Sequence, residues 1–339
     1  MPELPQRASV VIIGGGFAGA ATAWALRRAG VSDVIVLERE MALGRYASGR
    51  SAGLGRQLAE DDHTTALTVR GAQLIREMKG DVWRPTGGIL SFDSAELADA
   101  YVERAQRFGV PVEVGDRAAV QGRWPVGELK IAKALYVASD GTIDVTQLLR
   151  ELVKKTRVEV SCGVERIEPH RVITTKGAIE AQVIVDATGA WAGGLTGDEP
   201  LLLYKRHVFI IENESEPGPW LWHLGAGEMY MRHDGEGVLM SPCDAARSEP
   251  GHQEPDLVGE AHVRKLLEDA EMPLANAIIT RRWACQRAFR PDRKMRLGRD
   301  DQRPWLVWAA GLGGHGATAA PAVGEAVAAA VVERLQSGQ

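Results

Sequence analysis

Short apolar runs and small-residue stretches alternate along the first forty positions. Val10-Val11-Ile12-Ile13 is a continuous β-branched run, the pattern of a strand buried on both faces. Residues 20–29, Ala-Ala-Thr-Ala-Trp-Ala-Leu-Arg-Arg-Ala, are rich in alanine and leucine and predict a helix that Gly30 stops. Asp33-Val34-Ile35-Val36-Leu37-Glu38 predicts a second strand, ending in an acid. The chain therefore opens with a β-α-β unit. Ile179–Ala187 and Trp305–Ala310 predict further buried strands, and a small-residue helix is expected from about Ala320 to Leu335. Other segments have a different rhythm. Tyr204–Ile211 reads as a strand. Glu228–Arg232 and Val238–Ser241, joined by a turn at His233–Gly237, read as a hairpin. Residues 256–270 form an amphipathic helical pattern.

Between the first strand and helix lies Gly14-Gly15-Gly16-Phe17-Ala18-Gly19, which matches GxGxxG. Gly14 permits the tight turn, Gly16 lets backbone approach a pyrophosphate, and Gly19 lets helix and strand pack closely. The helix N-terminus offers unpaired N–H groups and a positive dipole end to the phosphates. Glu38 lies 19 residues after Gly19, placed to accept hydrogen bonds from a ribose diol. An adenine dinucleotide site is expected, and the acid disfavours a 2′-phosphate.

Composition narrows the class. Thirty-eight glycines among 339 residues is about 11%, above the usual ~7%, and they cluster around the motifs described here. With 25% charged and 45% hydrophobic residues, the chain is that of a folded soluble protein. A net charge of −5 gives no basic footprint for nucleic acid. Cys162, Cys243 and Cys285 are too few and too scattered for a disulfide scaffold or a CxxC metal site, and no metal is expected. No apolar run is long enough to span a bilayer, and MPELPQR lacks a secretory signal's apolar core. A cytoplasmic setting is the expectation, with peripheral membrane contact left open.

Residues 44–56, Gly-Arg-Tyr-Ala-Ser-Gly-Arg-Ser-Ala-Gly-Leu-Gly-Arg, break the helix–strand alternation of a nicotinamide-dependent dehydrogenase. This polar loop could wrap the second half of an extended cofactor, or it is a solvated surface loop. The segments VIIGGGFAGAATAWAL, VLERE with SGRSAG, VIVDATGAWAG, RWACQR and GLGGHGATAAPAVGEAVA resemble the D-amino acid oxidase superfamily of FAD enzymes. That superfamily includes glycine oxidase, sarcosine oxidase and D-amino acid dehydrogenases. The resemblance spans the whole chain. LYKRHVFII and VLMSPCDA add a likeness to D-arginine dehydrogenase-like proteins. Thr86, Leu54 and Ala59 stand where that pocket's acid, histidine and tyrosine would be, so D-arginine is not implied.

The resemblance implies an α/β fold, α+β overall: a Rossmann-like FAD-binding domain interleaved with an antiparallel-sheet substrate domain. The former is expected from 1–80, 140–200 and 285–339, the latter from 81–139 and 201–284. FAD is expected against Gly14, Gly16, Phe17, Ala18, Gly19, Glu38, Arg39, Ser48, Gly49, Arg50, Ser51 and Val164. Further contacts are expected from Ala187, Thr188, Gly189, Trp191, Gly313, Gly314, His315, Gly316, Ala317 and Thr318. The final helix's dipole suits the negative charge of a reduced flavin.

The implied activity is oxidation of an amino acid or related amine by hydride transfer to flavin N5, the imine then hydrolysing. Dioxygen or a quinone or other carrier would reoxidise the flavin. The alternative is a flavin-bearing subunit of a hetero-oligomeric amine dehydrogenase. Arg287 falls where relatives carry the carboxylate-binding arginine, and Tyr230 matches its tyrosine companion. Arg56 reads as a second carboxylate ligand, a phosphate contact or a surface charge. His315 reads as a donor beside the flavin or a backbone-bonded loop histidine, and His207 is expected to face the substrate. Cys285 reads as a covalent flavin attachment or a small buried thiol. Gly87-Gly88 is expected to let a strand pass close to the flavin ring.

Overall fold

The β-branched runs do become the buried core of a parallel sheet. In the computed structural model, which describes residues 4–214, 217–235 and 237–337, Arg7–Ile13 pairs in parallel with Val34–Leu37 on one side and Gly177–Asp186 on the other. Arg157–Glu159 extends the parallel run beyond Val34–Leu37, and Leu306–Ala310 extends it beyond Gly177–Asp186. Antiparallel strands Val164–Glu168, Arg171–Thr174 and Arg296–Arg299 complete the sheet. The helices Phe17–Arg28 and Gly316–Ser337 pack together, and their small side chains are buried with Val10, Ile12, Val36, Val183 and Val307. The opening β-α-β unit is present, and the architecture is α/β.

The last helix starts at Gly316, not near Ala320. Pro321 therefore lies inside it, where its missing N–H leaves one turn unbonded. Burial of Ala317, Ala319 and Ala320 outweighs that single loss.

A second sheet takes its strands from 88–137 and 202–289. Leu202–Ile211 pairs antiparallel with Ile279–Phe289 and Gly237–Ser241, and Met229–Asp234 forms the expected hairpin with Gly237–Ser241. Glu236 of its turn lies outside the described residues. The sheet is not wholly antiparallel, because Trp220–Leu224 runs parallel to Gly88–Phe92. These strands come from distant blocks of the chain, and only such a long connection can join parallel neighbours. Ile279–Phe289 runs across the expected boundary at 284/285. A small third sheet of Leu54–Gly55, Trp83–Arg84 and Gly141–Ile143 lies between the blocks.

Alternation sorts the second sheet into two faces. Phe209, Met229, Met231 and Met240 pack with Val263 and Leu267 of the helix Leu257–Asp269, whose N-terminus Asp256 caps. Val208, Trp222, Tyr230 and Leu239 occupy the opposite face. Gly88 serves that packing: a Cβ there would stand 2.2 Å from the Trp220 ring. Gly87 and Gly88 thus admit the Tyr136 and Trp220 side chains, and neither lines the main cavity. Among the described residues, no helix is long and apolar enough to cross a membrane.

Candidate active site

A cavity of about 570 Å³ runs from Glu38 and Arg39, past Gly14–Ala18, to Cys285–Ala288 and Gly311–Gly314. Its position follows from the topology. The strands Arg7–Ile13, Val34–Leu37 and Gly177–Asp186 run parallel, so all three end on the same side, and ligands bind at such carboxyl ends.

Gly14 adopts φ +108°, and a Cβ on it would stand 2.4 Å from Ala187 O, so the two strand ends meet there without a side chain. A Cβ on Gly16 would meet only Ser48 Oγ, at 3.0 Å; otherwise it enters the cavity. The following helix has no capping side chain on Gly16. Ser48 supplies part of that role, because its Oγ accepts from Phe17 N at 2.9 Å. Glu38 accepts from Gly15 N and Glu40 N, each at 2.9 Å, fixing its carboxylate beside the turn. Asp186, fully buried, accepts from Thr188 N, Thr188 Oγ1 and Gly193 N, which shapes the Ala187–Gly189 wall. Burial pushes its carboxyl up, opposed by those bonds. Arg39 stacks 3.7 Å over Trp191, closing one end.

Of the expected cofactor contacts, Gly14, Gly16, Phe17, Ala18, Glu38, Arg39, Ser48, Ser51 and Val164 line this cavity. So do Ala187, Thr188, Gly189, Trp191, Gly313, Gly314, Gly316 and Ala317. Five do not. Gly19 packs against Gly14 O, and Gly49 against Gly44 O. Arg50 turns away, donating to Gln253 O at 3.0 Å and Ala284 O at 2.8 Å. Thr318 donates to Leu54 O at 3.1 Å. His315 faces Glu60 and Arg56.

Arg287 projects from Ile279–Phe289 at the cavity wall, and its Nη2 donates to the Tyr230 hydroxyl at 3.4 Å. No ion pair joins Arg287 to a carboxylate among the described residues, and its buried Nε has no partner. Tyr230 is 1% exposed; burial pushes its hydroxyl up, against Arg287. Its ring lies 4.9 Å from Trp222, and the Arg56 guanidinium sits 4.0 Å over Trp222. Arg56 is 2% exposed and pairs with Glu60 at 2.5 Å; Glu60 in turn contacts His315 at 2.8 Å. Burial acts against the Glu60 charge, but Arg56 and His315 outweigh it and hold the carboxyl well below its usual range. Cys285 lines the cavity, and burial pushes its thiol up, so it stays protonated.

His207 does not face the cavity: Asp244 holds its Nδ1 at 2.6 Å, and its Nε2 accepts from Asp256 N at 3.2 Å. Sequence reasoning passed over Glu60, Trp222 and Arg206. Glu60's only signal was its spacing four residues after Arg56.

The geometry fits FAD. The cavity joins a glycine turn and an open helix N-terminus, suited to a pyrophosphate, to a Gly-rich segment beside buried aromatic and cationic side chains. The chain is 27% identical to mouse mitochondrial sarcosine dehydrogenase over 244 residues, covering 63% of this chain and 26% of that protein. It spans about a quarter of the sarcosine dehydrogenases it matches. L-proline dehydrogenase from P. horikoshii shares the fold, with TM-score 0.87 and 24% identity, covering 97% of this chain and 94% of that one. Glycine oxidase from Geobacillus kaustophilus gives TM-score 0.81 at 22% identity, covering 97% and 95%. A model of the DAO family, described as FAD dependent oxidoreductase, matches residues 9–330, and this chain belongs to that FAD-binding family.

Proposed function

We propose that this chain oxidises the carbon–nitrogen bond of an amino acid or related amine. The observation that carries the reading is Arg287: a guanidinium at the wall of the FAD cavity whose hydrogen-bonding partner is a tyrosine hydroxyl and not an acid. Arginine's planar fork suits a carboxylate, and a charged donor left in a buried site costs free energy until an anion meets it. The names of the similar proteins, sarcosine dehydrogenase and glycine oxidase among them, support the same substrate class.

FAD, when bound, supplies the two-electron acceptor for turning a C–N single bond into a C=N bond, which water then opens to a carbonyl compound and an amine. The side chains hold and orient. Arg287 and the Tyr230 hydroxyl take the substrate carboxylate, which fixes the reacting carbon relative to the cavity. The Trp222 ring, 4.9 Å from that of Tyr230, holds the tyrosine in place behind Arg287. No side chain is required as a nucleophile.

Anaerobic mixing of the holoprotein with D-, L- and N-methyl amino acids tests this. Bleaching of the flavin band by some of them is expected. Arg287→Met should retain FAD and raise KM about 100-fold, since a charge-assisted carboxylate contact of roughly 2–3 kcal/mol is lost. Unchanged kcat/KM in that variant overturns the carboxylate assignment. Reoxidation of the bleached protein by air, or only by a quinone, then assigns the acceptor.

A further inference from the structure

Arg287 is not alone. Arg206 lies on Leu202–Ile211 directly opposite Cys285, and Arg287 follows two residues later along that partner strand. Alternation puts both arginines on one sheet face. Arg206 makes no hydrogen bond or ion pair among the described residues, and its Nε and Nη1 are buried without partners. Arg56, nearly wholly buried, uses Nη2 for Glu60 while its Nε and Nη1 also lack partners. The contacts are continuous: Arg56 stacks on Trp222, Trp222 packs on Tyr230, and Tyr230 meets Arg287.

One carboxylate does not satisfy this set. An Nε carries one N–H and an Nη two, so the five partnerless nitrogens on Arg56, Arg206 and Arg287 present seven donors. A carboxylate offers about four lone-pair sites. Buried polar groups are rarely left unmatched, and buried cations still less often. Building on the amine-oxidation reading above, we infer that the substrate is an amine bearing two carboxylates, the first held by Arg287 and Tyr230, the second by Arg206 and Arg56.

The unmodified holoprotein supplies the first test. Paired substrates differing by one carboxylate are compared anaerobically: iminodiacetate with sarcosine, and glutamate and aspartate of each hand with norvaline and alanine. A preference of about 100-fold in kcat/KM for one of the dicarboxylates is expected, the worth of one charge-assisted contact. Equal rates within each pair overturn the inference while leaving the amine reading intact. Bleaching by no amine overturns the reading itself. Binding without turnover supplies a second readout: thiodiacetate should perturb the flavin spectrum at concentrations about 100-fold below methylthioacetate.

Arg206→Met, checked for FAD content, should remove the dicarboxylate preference by lowering kcat/KM for the dicarboxylate about 100-fold. If it weakens both classes equally, Arg206 shares the first carboxylate and the substrate is monocarboxylic. If it instead releases FAD, Arg206 serves the cofactor, and the inference again falls.

Discussion

Two glycines two positions apart, Gly14 and Gly16, should respond differently to alanine, and the contrast tests how the cofactor end is built. At Gly14 a Cβ must be carried at φ +108° and would stand 2.4 Å from Ala187 O and 2.9 Å from Ala187 C. The backbone strain is worth about 1–3 kcal/mol. The overlap is with main chain that cannot rotate away, which adds roughly 1–3 kcal/mol. Gly14→Ala should therefore lose about 2–6 kcal/mol, a large part of a typical stability of roughly 5–15 kcal/mol. Gly16 has φ −80°, so alanine is unstrained, and the nearest atom is the rotatable Ser48 hydroxyl at 3.0 Å. Turning it aside costs its bond from Phe17 N, about 1 kcal/mol. The new methyl, however, enters the cavity. Urea unfolding of the FAD-free proteins should show a large drop in midpoint for Gly14→Ala and a small one for Gly16→Ala. FAD titration should show at least a tenfold affinity loss for Gly16→Ala. If Gly16→Ala binds FAD like the parent, the cavity beside that turn is not the pyrophosphate site. If Gly14→Ala unfolds with the parent, the strand-end contact is not structural.

Asp140 gives a pH prediction. It is fully buried, its Oδ1 accepts from Gln57 N at 3.1 Å and Gln57 Nε2 at 2.8 Å, and burial pushes its carboxyl up to about 7 against those bonds. Between roughly pH 4 and 7 the folded chain keeps a proton the unfolded chain has released, so this group makes stability fall as pH rises, by up to about 4 kcal/mol. The Asp140→Asn variant should gain on the parent as urea midpoints are compared from pH 5 to pH 8; parallel curves would refute the assignment. Arg50→Ala loses two charged bonds to main-chain carbonyls and should cost about 2 kcal/mol of stability while changing FAD affinity less than threefold. A fall in FAD affinity at unchanged stability would mean that the guanidinium reaches the cofactor.

What the sequence made legible was whatever depends on local periodicity. Val10–Ile13, Val34–Leu37 and the Gly14–Gly19 turn announce themselves within a dozen residues, because strand burial, helix propensity and turn geometry act over that range. Side-chain direction does not. Arg50 and Ser48 sit two residues apart in one polar loop, yet Ser48 caps the cofactor turn while Arg50 reaches carbonyls more than 200 positions away. His207 looked substrate-facing beside Arg206, but strand alternation turns the two to opposite faces, and Asp244 holds the histidine. Arg206 instead shares the face of Cys285 and Arg287. The Arg56–Glu60–His315 contact joins residues 255 positions apart and has no linear signature.

The two ends of the cavity are held by different physics, and this decides where specificity can change. At the nucleotide end, backbone meets backbone: Gly14 against Ala187, Gly19 against Gly14. A larger residue there displaces main chain, so substitution costs stability before it alters selectivity. At the other end, Arg287 reaches the cavity wall from a sheet face, and neither it nor Arg206 on the same face pairs with an acid among the described residues. Burying such groups destabilises the ligand-free protein. Replacing Arg206 by an apolar residue of similar volume removes that cost, so the fold has no reason to keep it. Its presence argues for an anion that the protein binds, because a ligand that pairs the charge returns the stability its burial removes.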